Sequence, residues 1–220
     1  MHITADDRLL FIGDSITDAG RDRTDSASLG NGYVREIAQT LRHLTNVAGG
    51  ACPAPAVINK GVNGHRVYDL ESRWTTDVIA QRPTVVTVKI GINDTWRLYD
   101  RGLPSPVAEF ESCLDRILTH TRQHSSAARL VVITPFLLPV TSEQEGWYED
   151  LVPRTEAVLR AARANGAQLV RTDLLLPRAA EESGAVALAP DGVHPSPRGH
   201  KLIADAWLTA VNGEELGEEL

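Results

Sequence analysis

Five short runs of apolar residues, separated by longer segments with helical periodicity, constrain the fold of this chain more than any other feature. The runs are rich in valine and isoleucine and do not alternate cleanly with polar residues, which is typical of parallel strands covered on both faces. They span residues 8–12, 56–59, 84–90, 129–134 and 168–171. Because strand and helix alternate repeatedly, the sequence predicts an α/β fold with a doubly wound parallel sheet.

Helical patterns fill the segments between these runs. The predicted helices cover about residues 32–44, 68–79, 106–124, 147–165 and 197–211. The third helix follows Ser105-Pro106, where the serine is expected to cap the helix and the proline to take its first position. Gly166 is expected to end the fourth helix, because glycine readily adopts the left-handed conformation found there.

Length and charge limit the classes of function. The 220 residues predict a single domain over 1–220, and its acidic tail at about 214–220 reads as a solvated end. A net charge of −7 without a basic stripe argues against nucleic acid and against an anionic membrane surface as partners. No internal repeat or linker interrupts the chain.

Two cysteines and a polar N-terminus bear on the compartment. Cys52 and Cys113 lack the spacing of a zinc or redox motif, and we expect both to be free thiols in a reducing environment. The first ten residues lack the apolar stretch of a secretory signal, and no segment approaches the length of a membrane span. The sequence therefore predicts a cytoplasmic protein.

Polar residues suited to catalysis follow the predicted strands, at the edge where ligands bind in such sheets. Ser15 comes two residues after Gly13, at the end of the first strand, where it could be a nucleophile or a helix N-cap. Asp191 and His194 are three residues apart, so the carboxylate can reach the imidazole and orient it toward a serine. The alternative is a loop aspartate that caps a turn beside a surface histidine.

Three groups could stabilise an oxyanion formed on attack by Ser15. They are the Ser15 backbone N–H, the backbone N–H of Gly64 and the side-chain amide of Asn93. Gly64 and Asn93 also stand in sequences that favour turns, which is the competing explanation for each. Elements of this kind at successive strand ends favour a catalytic site over coincidence.

Other catalytic or cofactor motifs are absent from the sequence. There is no GxSxG elbow, no GxGxxG fingerprint, no phosphate-binding loop and no HExxH pair. Asp14, Asp18 and Asp22 recur at four-residue intervals, which could hold a metal ion but reads more simply as one exposed face. We expect neither metal nor cofactor.

The segment Phe11-Ile-Gly-Asp-Ser-Ile-Thr-Asp18 resembles the first sequence block of the SGNH (GDSL-type) hydrolase superfamily. Gly64 matches its second block, Gly91-Ile-Asn-Asp94 its third and Asp191-Gly-Val-His-Pro195 its fifth. The resemblance implies a three-layer α/β/α sandwich with a five-stranded parallel sheet. It also implies ester hydrolysis through an acyl-serine without metal or cofactor, with Ser15, Gly64, Asn93 and His194 in the family's named positions.

A closer resemblance is to the bacterial acetylxylan esterases of this superfamily. The similar stretches are residues 9–20, 32–34, 59–61, 74–81, 90–96, 134–136 and 194–196. This resemblance implies a short acetylated xylo-oligosaccharide as substrate and a homo-oligomer as the assembled form. Ala189-Pro190 stands where those relatives carry a tryptophan before the catalytic aspartate, so a substrate or subunit contact by that ring is missing here.

Residues near the strand ends are the candidates for substrate contact. They are Asp14, His65, Trp96, Arg97 and Tyr99. Aromatic rings with a polar edge suit a pyranose, although ordinary packing or an oligomer interface would use the same residues. His200 reads as structural. The rival functions are a general short-chain carboxylesterase or lysophospholipase of the same superfamily, and a non-catalytic carbohydrate-binding protein.

Overall fold

A five-stranded parallel sheet forms the centre of the molecule in the computed structural model, which describes residues 2–47 and 53–212. The strands are β1 (Arg8–Gly13), β2 (Ala56–Gly61), β3 (Val85–Lys89), β4 (Arg129–Ile133) and β5 (Gln168–Val170). Their order in the sheet is β2-β1-β3-β4-β5, with every neighbouring pair parallel. The predicted α/β/α fold and all five predicted strands are confirmed.

Ten α-helices and one 3₁₀ helix (Ile79–Gln81) are described, and five of the α-helices are the predicted ones. The helices are α1 (Ser15–Asp18), α2 (Tyr33–Val47), α3 (Val67–Asp77), α4 (Ile92–Arg101), α5 (Val107–His124), α6 (Ser142–Glu145), α7 (Tyr148–Ala164), α8 (Thr172–Ser183), α9 (Ala185–Leu188) and α10 (Pro197–Asn212). The predicted five correspond to α2, α3, α5, α7 and α10. The helices α4 and α8 were not predicted, because each begins directly after a strand and carries a mostly polar or irregular pattern.

Helices cover both faces of the sheet, which explains why the strands do not alternate in polarity. Every residue of β3 is buried, including Lys89. On one face lie α3, α5 and α7, where Trp74 donates a hydrogen bond to Thr121 Oγ1 at 3.0 Å. On the other lie α2, α8 and α10, where Trp207 donates to Thr87 Oγ1 at 3.0 Å.

Of the two helix ends predicted from single residues, the structure confirms one and contradicts the other. Gly166 has φ +58° just beyond α7, as expected for a glycine that ends a helix. Ser105 does not cap α5; its hydroxyl donates instead to Asp94 Oδ1 at 2.9 Å, and Pro106 precedes the first helical residue. The expected serine cap is therefore wrong, because a buried carboxylate on α4 takes the hydroxyl.

The predicted free thiols can be tested only in part. Cys113 is free and buried in α5, where burial and the neighbouring Glu71 carboxylate raise the pKa of the thiol to about 12. Cys52 and the tail at 214–220 lie outside the described residues. Among the helices of the described ranges, none is both long enough and apolar enough to cross a membrane.

Candidate active site

Ser15 is the first residue of the short helix α1, directly beyond the carboxyl end of β1. Asp14 caps this helix, since its Oδ1 accepts a hydrogen bond from the Ile16 N–H at 3.0 Å. At the first helical position the Ser15 N–H has no acceptor within the helix. The hydroxyl and the backbone N–H of Ser15 therefore both lie at the edge of the sheet.

His194 reaches Ser15 from a loop 179 positions further along the chain. Its Nε2 lies 2.9 Å from Ser15 Oγ, and its Nδ1 lies 2.6 Å from Asp191 Oδ2. The other carboxylate oxygen, Oδ1, accepts hydrogen bonds from the backbone N–H groups of Val193 and His194 at 3.0 and 2.7 Å. The three predicted residues thus form one continuous chain of hydrogen bonds from hydroxyl to imidazole to carboxylate.

The ionised form of Asp191 is favoured in this arrangement. Partial burial acts to raise the pKa of Asp191, but the hydrogen bonds from His194 and from two backbone N–H groups outweigh it and hold the pKa below its usual value. An ionised carboxylate accepts a hydrogen bond from Nδ1–H, so the neutral ring keeps its proton on Nδ1 and presents an unprotonated Nε2 to the serine. This tautomer is the one that can remove a proton from Ser15.

A neighbouring side chain that no sequence motif singles out holds the histidine loop in place. Gln144, on α6, donates from Nε2 to the Asp191 carbonyl at 2.7 Å and accepts from the Val140 N–H at 2.9 Å. The Leu138 N–H donates to the Gly192 carbonyl at 2.9 Å. The loop that carries the imidazole is therefore tied to the segment after β4.

The two other predicted oxyanion donors lie on adjoining segments. Asn93 is in the first turn of α4, and its side-chain amide donates to the His65 carbonyl at 3.2 Å. Gly64 immediately precedes His65 and has φ +79°, a conformation that favours glycine. At Gly61, an added Cβ would lie 2.2 Å from the Asp18 backbone nitrogen, so β2 and α1 approach closely only because this position is glycine.

An aromatic wall adjoins the imidazole. The ring of Trp96 lies 5.8 Å from that of His194 and 5.6 Å from Trp147, measured between centroids. Tyr99 stacks on Trp147 at 5.7 Å, and the Arg97 guanidinium lies over the Trp96 ring at 5.3 Å. Trp96 is half-buried, so one part of its ring remains available beside the predicted catalytic histidine. Substrate contact by Trp96, Arg97 and Tyr99 stays a prediction.

The prediction that Asp14 contacts substrate is wrong. Its side chain is fully buried, because it turns inward from the end of β1 to cap α1. The Lys89 ammonium is also fully buried, at the register position beside Gly13, and lies 5.0 Å from the centroid of the Phe136 ring. Burial raises the pKa of Asp14 and lowers the pKa of Lys89, while their mutual attraction opposes both shifts. A single lysine at the end of a valine-rich strand was the signal for this buried charge.

The remaining candidates separate into structural and unsupported ones. His200 is buried, accepts a hydrogen bond from the Tyr33 N–H at 3.2 Å, and has its pKa lowered by burial to about 4, which agrees with a structural role. Asp14 and Asp18 are buried, so the three aspartates at four-residue spacing do not form an exposed face. Across residues 2–47 and 53–212, no cluster of three or more metal-ligating side chains is present.

Known proteins resemble this chain in sequence and in fold. Residues 11–202 match the GDSL-like lipase/acylhydrolase family. An acetylxylan esterase of Geobacillus stearothermophilus is 34% identical over 97% of this chain and 98% of its own. A crystal structure of an acetylxylan esterase from the same organism superposes with a TM-score of 0.85 at 33% identity, over 99% of this chain and 100% of that one.

Two further sets of solved structures resemble the chain. An α/β hydrolase from the metagenome of Lake Arreo, Spain, superposes with a TM-score of 0.86 at 28% identity, covering 97% of this chain and 98% of its own. Two structures of the Geobacillus esterase are described as catalytic mutants, one of a serine and one of a histidine. Both superpose over most of this chain, with TM-scores of 0.84 and 0.86.

Proposed function

The chain belongs to the GDSL-like lipase/acylhydrolase family, and from that premise we propose that it removes acetyl groups from short xylo-oligosaccharides through an acyl-serine intermediate. The observation that carries the proposal is the unbroken hydrogen-bonded chain Ser15–His194–Asp191, with separations of 2.9 and 2.6 Å. The choice of a sugar as the alcohol portion of the substrate is based on the acetylxylan esterases that resemble the chain over nearly its whole length.

The first half of the reaction transfers the acetyl group to the enzyme. His194 Nε2 takes the proton of Ser15 Oγ as that oxygen attacks the acetyl carbonyl carbon. The carbonyl π electrons move to oxygen, and the resulting anion accepts hydrogen bonds from the Ser15 N–H, the Gly64 N–H and the Asn93 amide. When the carbonyl re-forms, the bond to the sugar oxygen breaks, and His194 gives that oxygen its proton.

The second half regenerates the enzyme with the same groups. His194 Nε2 takes a proton from water as the water oxygen attacks the acetyl-serine carbonyl. Collapse of the second tetrahedral intermediate breaks the bond to Ser15 Oγ, which recovers a proton from His194, and acetic acid leaves and ionises in the solvent. Throughout, Asp191 holds the proton-bearing Nδ1 and stabilises the imidazolium that exists in each intermediate.

Access to the reacting groups fits a sugar ester. The side chains of His194 and Asp191 keep 42% and 50% of their full exposure, so no segment within residues 2–47 and 53–212 has to move for a hydrophilic alcohol portion to approach. Trp96 supplies a partly exposed aromatic ring beside His194, and carbohydrate rings pack well on such surfaces. By the same likeness to these esterases, we expect the active form to be a homo-oligomer.

The experiment that tests this function compares p-nitrophenyl acetate with p-nitrophenyl octanoate, in wild type and in Ser15→Ala. We expect fast turnover of the acetate, much slower turnover of the octanoate, and loss of both in the variant. Preference for octanoate would instead indicate a general carboxylesterase or a lysophospholipase, and the sugar ester would no longer be the proposed substrate. Turnover that does not depend on Ser15 would contradict the acyl-serine mechanism. No turnover of either ester would contradict the proposal altogether and leave a non-catalytic carbohydrate-binding protein.

A further inference from the structure

Arg73, on α3, is fixed beside the predicted oxyanion hole by contacts to all three guanidinium nitrogens. Its Nη1 donates to the Lys60 carbonyl at 2.8 Å and to Asp77 Oδ2 at 2.7 Å, and its Nη2 donates to the Gly13 carbonyl at 3.3 Å. Its Nε donates to Nδ1 of His65 at 3.2 Å. The guanidinium therefore joins the carboxyl ends of β1 and β2 to one histidine.

This contact decides where the proton of His65 resides. Arginine carries no acceptor, so His65 Nδ1 has to accept, and a neutral imidazole that accepts at Nδ1 carries its hydrogen on Nε2. Burial, followed by the positive charge of Arg73, lowers the pKa of His65; Arg23 acts in the same direction, and Asp69 and Asp77 oppose it. The neutral ring with an Nε2–H is thus the form that its surroundings select.

The place of the His65 Nε2–H in the fold is defined as well as its protonation. The residue follows Gly64, and its own carbonyl accepts a hydrogen bond from the Asn93 amide at 3.2 Å, so its backbone borders the predicted oxyanion hole and holds one of the donors. Within the described part of the chain, His65 Nε2 has no hydrogen-bond acceptor. The atom is not buried, so solvent can reach it. A donor fixed by Arg73 therefore remains open to solvent on a residue whose backbone borders the predicted oxyanion hole, a place that we call the rim of the site.

We propose that His65 donates this hydrogen bond to the alcohol portion of the substrate, and that Arg73 is the positioning residue that imposes the donating tautomer. The inference rests on the proposed function. An acetyl group has a single acceptor, its carbonyl oxygen, and that oxygen is served by the predicted hole. A further donor at the rim therefore meets oxygen atoms of the sugar, and His65 acts on the choice of alcohol rather than on acyl transfer itself.

Two substitutions of His65 separate the donor from the acceptor. His65→Gln keeps an N–H near the place of Nε2, whereas His65→Asn keeps a group near Nδ1 for Arg73 and lacks the outer donor. With acetylated xylobiose, we expect His65→Asn to lower kcat/KM about three- to tenfold, the range for one neutral hydrogen bond, and His65→Gln to stay within about twofold of wild type. With p-nitrophenyl acetate, which lacks the sugar, we expect kcat/KM to be the same in His65→Asn as in His65→Gln.

Each other outcome has a definite meaning. Wild-type activity of His65→Asn on the sugar ester would overturn the proposal. Equal losses on both esters would also overturn it, since they would place His65 in the oxyanion site or in the scaffold. Failure of the wild-type protein to use p-nitrophenyl acetate would instead contradict the proposed function, so the two failures are distinguishable.

Nitrogen NMR of the histidine-labelled protein tests the tautomer without any substrate. The His65 signals, identified by their loss in His65→Gln, should show an unprotonated Nδ1 and a protonated Nε2 at neutral pH. In Arg73→Met, the same signals should shift toward a mixture of tautomers. A protonated Nδ1 in the wild-type protein would overturn the assignment, whether or not the arginine variant folds.

Discussion

Replacing Asp191 by asparagine should disable the catalytic base without disturbing the loop that carries it. The asparagine Oδ1 can keep the hydrogen bonds from the backbone N–H groups of Val193 and His194, now 3.0 and 2.7 Å long. The atom that faces His194 Nδ1 at 2.6 Å becomes an N–H donor, so Nδ1 has to accept. The proton then moves to Nε2, which faces Ser15, and the imidazole cannot take a proton from the serine.

The magnitude follows from how exposed this pair is. In a buried triad the same change lowers kcat about 10⁴-fold. Here the two side chains keep 42% and 50% of their exposure, so water can substitute in part for the lost carboxylate. We therefore expect kcat on p-nitrophenyl acetate to fall about 10²- to 10³-fold with little change in KM.

The assay needs a control for the loss of one negative charge. Asp205→Asn removes the same charge from an exposed carboxylate that pairs with Lys201, and it should leave kcat unchanged. Equal far-ultraviolet circular dichroism of both variants would show that the fold is kept. A loss below tenfold in Asp191→Asn would refute the tautomer reasoning.

Three further predictions concern the oxyanion site, the base and the buried network. Asn93→Ala should lower kcat on the order of 10²- to 10³-fold in the same assay, as the loss of one oxyanion donor does, and a loss below tenfold would remove Asn93 from that role. A histidine base has to be neutral, so kcat/KM should rise from acid toward neutral pH, and a flat profile between about pH 5 and 9 would contradict it. Burial raises the pKa of Asp94 from 3.8 to about 7. The folded state therefore holds this proton more tightly than the unfolded state, and the stability it contributes is lost as pH rises from about 4 to 7. Between pH 5 and 8, urea unfolding should show Asp94→Asn gaining about 2–3 kcal/mol relative to wild type, and a pH-independent difference would contradict the shift.

The fold was predictable because a strand buried on both faces has apolar residues at consecutive positions, and this pattern is visible in the sequence. The run around β3 contains Val85, Val86 and Val88, and residues of this kind on both faces are what two helical layers require. The sequence of helix α4 has no comparable apolar pattern. Its sequence, INDTWRLYDR, begins directly after Gly91 and points its polar first turn into a buried network with Ser105 and Arg154.

The site was predictable where function depends on residue type and place along the chain. Ser15 and Asn93 follow strands of one parallel sheet, whose carboxyl ends share an edge. The Asp191–His194 pair comes after α9, and its His194 reaches Ser15 at that edge. Asp14 shows the limit of that reasoning, since a residue at the correct edge can still turn inward. The contact between Arg73 and His65 could not be predicted, because long side chains meet there across two strand ends and a helix.

The central claim is that Ser15 carries the acyl group, and one quenched-reaction measurement tests it directly. Wild-type protein and Ser15→Ala are mixed with excess p-nitrophenyl acetate, stopped with acid within the first turnovers, digested and mapped by mass spectrometry. The account predicts an acetyl group on Ser15 of the wild-type protein and neither acetylation at that position nor turnover in the variant. An acetyl group on another residue, or wild-type turnover by Ser15→Ala, would contradict it.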